Sequence, residues 1–432
     1  MNSDILGMPR KLVWGYLALL LFMIGDGIEL AFLSKFLVGE GFSMTQASMV
    51  FTAYGITAAL SAWLAGVLSE IFGPRRVMTF GLVIWIVFHI GFLLIGLGTL
   101  NYSLIVITYA IRGFGYPLFA YGFLVWIAYE STPEKLSSAY GWFWFAFAGG
   151  IGAIGSFIPS ITLPILGFIG TLWVSIGFVA IGGIIAIFMI KERTKSTEKD
   201  YVDSEDNTGK LKEFVKGVTI VFENPRVAAG GVVRTINTTS QYGFIVALPL
   251  FYTDIIGLST TQWLQIWSGQ NFIHIFAILA FGFLGNKFRW HSVVKWWGCI
   301  GSAVTCLIIY YGSLMVGDNF WLLLGLISLY GVTLAAFVPL SAIMPSLEPK
   351  RKGTATSILN LGAGLSTVTG PVLVAVLYPF FGLQGVVWAF VTLYLIGAYL
   401  CRYIDAGEKS AEFAKEQNIV IEKNVTIQSN LN

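Results

Sequence analysis

Most of the chain consists of long apolar runs separated by short polar connections. A helix needs about twenty consecutive apolar residues to cross a bilayer. Runs of that length fall at approximately 12–37, 43–71, 77–98, 103–129, 139–160 and 168–190, then at 228–253, 260–286, 292–313, 319–345, 354–378 and 384–403. The pattern predicts an all-α membrane protein of twelve transmembrane helices, grouped six and six about a polar middle segment. The predicted organisation is an N-terminal six-helix bundle over 1–190, a linker over 191–226, a second six-helix bundle over 227–405 and a tail over 406–432. The linker is rich in Lys, Glu, Asp, Ser and Thr, and 211–222 within it reads as a surface helix with Leu211, Phe214, Val215, Val218 and Phe222 on one side.

The connections alternate in charge. Arg75, Arg76, Lys135, the 191–226 segment, Lys287, Arg289, Lys295, Lys350, Arg351 and Lys352 fall on one set. The other set, around Glu40, Asn101, Pro164, Gly257, Asp318 and Phe381, is nearly free of Lys and Arg, with Lys35 the near exception. Basic connections stay in the cytoplasm, so a multi-pass protein of the cell membrane with both termini and the middle segment cytoplasmic is expected. The first nine residues lack a signal-peptide cleavage pattern, so the first span is expected to be retained.

Composition sharpens this picture. Charged residues make up 11% of the 432, against about 25% in a soluble domain. The net charge of +3 implies no nucleic-acid partner, and the three cysteines (Cys299, Cys306, Cys401) have neither zinc nor disulfide-framework spacing. No metal site and no cofactor are expected. The absence of a Walker or other phosphate-binding loop argues against ATP hydrolysis and against an enzyme.

Two carboxylates, Asp26 and Glu29, interrupt the first run near its middle. Three residues apart, they project from roughly one face of a helix, and Gly25 and Gly27 thin that helix for a close neighbour. An ionisable group at bilayer depth faces a polar cavity or a counter-charge. Arg112, deep in the fourth run, needs a partner for the same reason. The plainer reading is a purely structural buried ion pair.

The halves repeat. Gly66-Val-Leu68-Ser-Glu70 recurs as Gly282-Phe-Leu284-Gly-Asn286, and Pro133 to Ala139 as Pro349 to Ala355, each 216 residues on. A fixed offset is the signature of a duplicated transporter fold. With the segment Gly66-Val67-Leu68-Ser69-Glu70-Ile71-Phe72-Gly73-Pro74-Arg75-Arg76, the chain resembles the major facilitator superfamily over nearly its whole length. It departs from the family pattern in having Glu70 where Asp is usual and Pro74 where a basic residue is usual. The resemblance implies that Gly66, Glu70, Gly73, Arg75 and Arg76 form a cytoplasmic gating motif, with Glu130 in the same network; an ordinary solvated turn is the plainer reading. Arg112-Gly113-Phe114-Gly115 resembles the family's arginine motif of span four, and since spans one and four line the family's central cavity, the resemblance implies Asp26 or Glu29 as the partner of Arg112. Gly149, Gly152, Gly155 and Pro159 resemble its gating-helix motif, echoed by Gly364, Gly370 and Pro371. The residues around Trp14-Gly15-Tyr16, Met23 to Glu29 and Tyr54-Gly55-Ile56 are similar to the polyol permease branch, the ribitol and arabinitol transporters.

In the second half no intramembrane acid matches Asp26. Arg234, Asn237, Thr238 and Gln241 form a stripe on the seventh run, and Trp263, Trp267, Gln270, Asn271 and His274 lie along one face of the eighth. Amides donate and accept, which suits the hydroxyls of a polyol, and Trp267, Tyr54 and Tyr330 offer rings to its C–H side. The expected solute-binding set is Asp26, Glu29, Tyr54, Arg112, Asn237, Gln241, Trp267, Gln270, Asn271 and Tyr330. The plainer reading has the amides tying helices together, and His89 and His274 as packing residues. Desolvation makes a carboxylate hold its proton and a nearby arginine loosens it, so Asp26, Glu29 and Arg112 are the expected proton-coupling set. The expected function is proton symport of a sugar alcohol by a monomer. The competing readings are uptake of a small carboxylate such as 2-oxoglutarate, with Arg112 and Arg234 binding the anion, and a non-transporting membrane sensor.

Overall fold

The computed structural model describes residues 8–131, 133–190, 220–284, 288–348 and 352–405. The linker with its predicted surface helix up to residue 219, the tail from 406, the extreme N-terminus and part of the second copy of each repeated motif lie outside that set.

Every described element is a helix. In the first half the spans are Val13–Gly27 with Leu33–Gly39, Met44–Phe72, Pro74–Gly91, Tyr102–Arg112 with Gly115–Glu130, Pro133–Ala148, and Gly155–Phe188, which carries the end of span five and all of span six. In the second half Pro225–Leu250 and Thr260–Leu284 form spans seven and eight. A broken helix from Trp290 to Val316 forms span nine, and Phe320–Ala335 with Leu340–Leu347 forms span ten. Spans eleven and twelve share Lys352–Leu400. Gly167 (φ 68°) and Gly382 (φ 58°) turn the chain between spans five and six and between eleven and twelve, a left-handed conformation that favours glycine. Among the described residues seven helical stretches are long and apolar enough to cross a membrane, of which Ala139–Phe188 and Ala355–Leu400 each hold two spans. The first span, which breaks after Gly27, and the seventh and eighth lie outside the seven. Twelve spans result.

The duplication survives in local detail. Ser43 accepts from the Gln46 amide while the Gln46 side chain accepts from the Ser43 amide, and Ser259 with Gln262 repeats this reciprocal cap at the head of span eight. Asn101 and Asn319 cap spans four and ten alike, each at 3.2 Å. Gly27 meets Gly155 where spans one and five cross, and Gly243 meets Gly370 where seven and eleven cross. In both pairs the absence of Cβ atoms lets backbones touch.

The first run departs from the single helix expected of it. The helix ends at Gly27, residues 28–32 form turns, and a new helix starts at Leu33. Gly25 packs on Ser175 and Val179 of span six and Gly27 on Ile151. Close approach at these glycines fixes the break, so Asp26 and Glu29 converge through a turn rather than through helical spacing.

Candidate functional site

Arg112 lies at the C-terminal end of Tyr102–Arg112, where span four breaks before resuming at Gly115. Its guanidinium takes both oxygens of Glu29, with Nη1 donating to Oε2 at 2.7 Å and Nη2 pairing with Oε1. Asp26 Oδ1 is 3.6 Å from Nη2. Asp26 is held instead by neutral donors, with Trp85 Nε1 at 2.6 Å and the Tyr54 hydroxyl at 3.0 Å. The rings of Tyr54, Trp85 and Tyr109 stand 4.5–5.3 Å from the guanidinium carbon, within cation–π range. His89 Nδ1 is 2.7 Å from Arg112 Nη1 and its Nε2 is 3.0 Å from the Leu172 carbonyl. Since Arg112 only donates, Nδ1 accepts, Nε2–H faces Leu172, and the imidazole is neutral. Asp26, Glu29, His89, Trp85 and Arg112 are all within 1% of full burial.

Two carboxylates therefore share one guanidinium in a dry site. With both acids ionised the cluster would carry one surplus negative charge, which a single bound proton would remove. An uncompensated charge in apolar surroundings costs several kcal/mol, on the order set by incomplete desolvation. The geometry thus suits a group that takes up and releases one proton.

A cavity of about 360 Å³ lies between the halves and not at this cluster. Trp63, Tyr116, Tyr121 and Trp144 line it from the first half, and Arg234, Thr238, Tyr242, Ser357, Asn360 and Thr367 from the second. It reaches toward Gly66 and Ser341, at the end of the bundle that bears Arg75 and Arg76. At the opposite end the halves are in contact. Lys35 pairs with Asp254 at 3.2 Å, Trp263 Nε1 donates to the Ala31 carbonyl at 2.8 Å, and the Thr45 hydroxyl to the Ala375 carbonyl at 3.2 Å. Between cavity and cluster stand two stacked rings: Tyr116 on the cavity wall and Tyr54, which bonds Asp26.

The expected solute-binding residues are thus dispersed. Asp26, Glu29 and Arg112 are one layer behind the cavity. Tyr54 holds Asp26 and does not offer its ring to the cavity. On span seven Arg234 and Thr238 reach the cavity. Asn237 turns to accept from Arg234 at 2.9 Å, and Gln241, half-buried, is not on the wall. Trp267 packs at a tilt against Trp263, with ring centroids 5.4 Å apart. Gln270 packs against Gly331, and Asn271 lies against Gly152 at the contact between spans five and eight. Tyr330 is enclosed in a hydroxyl network with Ser240 and, through it, Tyr394. Asn237 and Asn271 bond within their own helices, and the buried Gln270 amide has no hydrogen-bond partner among the described residues, so these amides do not tie one helix to another through hydrogen bonds. Sequence reasoning missed Tyr121, Tyr242 and Asn360, because a tyrosine or lone amide in an apolar run looks like any packed residue.

Of the gating motif, Gly66 borders the cavity and Gly73 (φ 84°) makes the turn into span three. Arg75 bonds the Ile187 carbonyl of span six. Glu130 approaches Lys11, at 4.0 Å. The Glu70 side chain lies outside the described set.

The Major Facilitator Superfamily model matches residues 15–311 and, in an overlapping second placement, 231–427. The chain belongs to this superfamily. Superfamily relatives include the D-arabinitol transporter and the ribitol transporter of Klebsiella pneumoniae, 44% and 43% identical over 93% of this chain and 94% of each relative. The alpha-ketoglutarate permease of Bacillus subtilis (strain 168) is 41% identical over 96% of this chain and 94% of its own length. The crystal structure of a point mutant of the nucleoside transporter NupG shares the superfamily fold, with a TM-score of 0.70 at 14% identity over 91% of this chain and 99% of that one. The protein is a multi-pass membrane transporter of small molecules.

Proposed function

We propose that this transporter imports a small hydroxyl-rich solute of the sugar-alcohol class, ribitol or arabinitol in type, by proton symport across the cell membrane. The carrying observation is the cavity wall. Phenols, aliphatic hydroxyls and the Asn360 amide face a space of about 360 Å³ with aromatic rings beside them. Such groups donate and accept in any orientation a polyol presents, and the rings cover its C–H edges. Two relatives above 40% identity carry polyol names. The open end bears basic connections, and such connections stay in the cytoplasm. On this reading both termini lie on that side and the conformation is inward-facing.

Asp26 is the proton carrier on this reading. Glu29 is taken by Arg112 on both oxygens, whereas Asp26 is bonded by groups that also tolerate its protonated form. Tyr54 and Tyr116 connect it to the cavity. Opening toward either side exposes the cluster to that side's protons, and the halves rock about the solute.

The test is uptake of labelled D-arabinitol and ribitol into proteoliposomes with an imposed pH gradient. Accumulation that collapses with a protonophore supports the reading. Saturable uptake without accumulation removes the proton. Binding without flux makes the protein a sensor, and uptake of 2-oxoglutarate in place of either polyol makes it a carboxylate permease.

A further inference from the structure

Arg234 is the one charged residue on the cavity wall among the described residues. Its Nη1 is oriented by two neighbours on its own helix, Asn237 Oδ1 at 2.9 Å and Thr238 Oγ1 at 3.2 Å. Both are neutral acceptors. No carboxylate in the described set comes within ion-pair distance of its guanidinium. The acids that neutralise Arg112 are sealed behind Tyr54 and Tyr116 and do not reach the wall. The first half's guanidinium is thus over-supplied with carboxylate, and the second half's has none.

A guanidinium on a cavity wall presents fixed, parallel donors that match a carboxylate in geometry and charge. A neutral hydroxyl in the same place makes a weaker bond and leaves the charge uncompensated. Around it, Tyr121, Tyr242, Ser357 and Asn360 supply the groups that bind a hydroxylated chain.

We propose that Arg234 makes this cavity a site for polyhydroxylated monocarboxylates of the aldonate class, taken in preference to the neutral sugar alcohol of the same carbon number. The inference rests on the cavity's being the solute site. It adds that one end of the preferred solute is a carboxylate, anchored at Arg234 with its hydroxyls along the wall.

The experiment compares D-arabinonate with D-arabinitol, each as a competitor of labelled D-arabinitol uptake in proteoliposomes of the full chain and each as a thermal-shift ligand in detergent. The expected result is half-inhibition by arabinonate at a concentration about tenfold or more below that of arabinitol, the margin of a charge-assisted over a neutral hydrogen bond. In Arg234→Gln the thermal shift given by arabinonate should fall to or below that given by arabinitol. Arg234→Lys should keep a reduced preference, because the charge remains without the fork. Equal or weaker competition by arabinonate in the wild-type protein, with arabinitol still recognised, overturns the inference and leaves the polyol reading standing. Failure of both compounds to compete or to shift overturns the polyol reading with it. The wild-type comparison stands even if a variant does not fold.

Discussion

Glu29 and Asp26 share a guanidinium unequally, and the inequality makes their substitutions separable. Asp26→Asn removes the surplus charge and keeps the shape, so the fold should hold. Concentrative uptake should fall to background while solute exchange across vesicles at equal pH persists; retained accumulation would take Asp26 out of the coupling role. Arg112→Met leaves two buried acids without a cation. Breaking such a pair costs about 3–5 kcal/mol, and the midpoint of thermal unfolding in detergent should drop far more than for Asp26→Asn. Tyr54→Phe removes one neutral donor to Asp26, worth about 0.5–1.5 kcal/mol. It should leave the fold nearly unchanged and alter the pH dependence of uptake. That Arg112 needs a counter-charge was legible in the sequence, because a charge in an apolar run must find one; that Glu29 rather than Asp26 takes both its nitrogens was not. Trp85 and His89 were not, since a lone indole or imidazole in such a run has packing as its default explanation. Only the fold shows His89 accepting from Arg112.

At the scale of elements, the twelve spans could be read off the chain because lipid leaves the backbone no other arrangement. The break after Gly27 could not, because glycines are common in unbroken membrane helices. The cost of filling its crossing is predictable. A Cβ on Gly27 would stand 2.3 Å from the Ile151 carbonyl oxygen, a backbone atom that cannot swing aside. At the repeated crossing, a Cβ on Gly243 meets first the Phe390 ring, also at 2.3 Å, and a ring can rotate. Overpacking typically costs about 1–3 kcal/mol. Gly27→Ala should sit at or above that range and Gly243→Ala below it, as read from the yield of folded protein and its unfolding temperature. Equal losses would mean that the ring at Phe390 is as fixed as the backbone at Ile151.

For the whole molecule, the closed end is held mainly by packing. The Lys35–Asp254 pair is partly exposed, and such pairs contribute about 0–1 kcal/mol, so Asp254→Asn should shift the balance of open and closed states only a few-fold. The approach of spans two and eleven is stronger. A Cβ on Gly55 would lie 2.4 Å from the Thr367 carbonyl oxygen, so Gly55→Leu should pry the halves apart there. In that variant, a cysteine placed at Thr45 should react faster with an impermeant thiol reagent added from the Lys35 side. An unchanged rate would show that spans two and eleven do not gate that end. The natural thiols Cys299, Cys306 and Cys401 are fully buried and give no competing signal.

Duplication gave the two bundles one architecture but not one chemistry. Where the first half carries Asp26 and Arg112, the corresponding stretches of the second carry Tyr242 and the Ser240–Tyr330 hydroxyl pair. The cation and most of the aliphatic hydroxyls on the cavity wall belong to the second half, and the sealed acids belong wholly to the first. On the proposed reading the motor sits in one bundle and much of the lock in the other. Selection acting on the lock can then refit the transporter to a new cargo while its power source goes untouched.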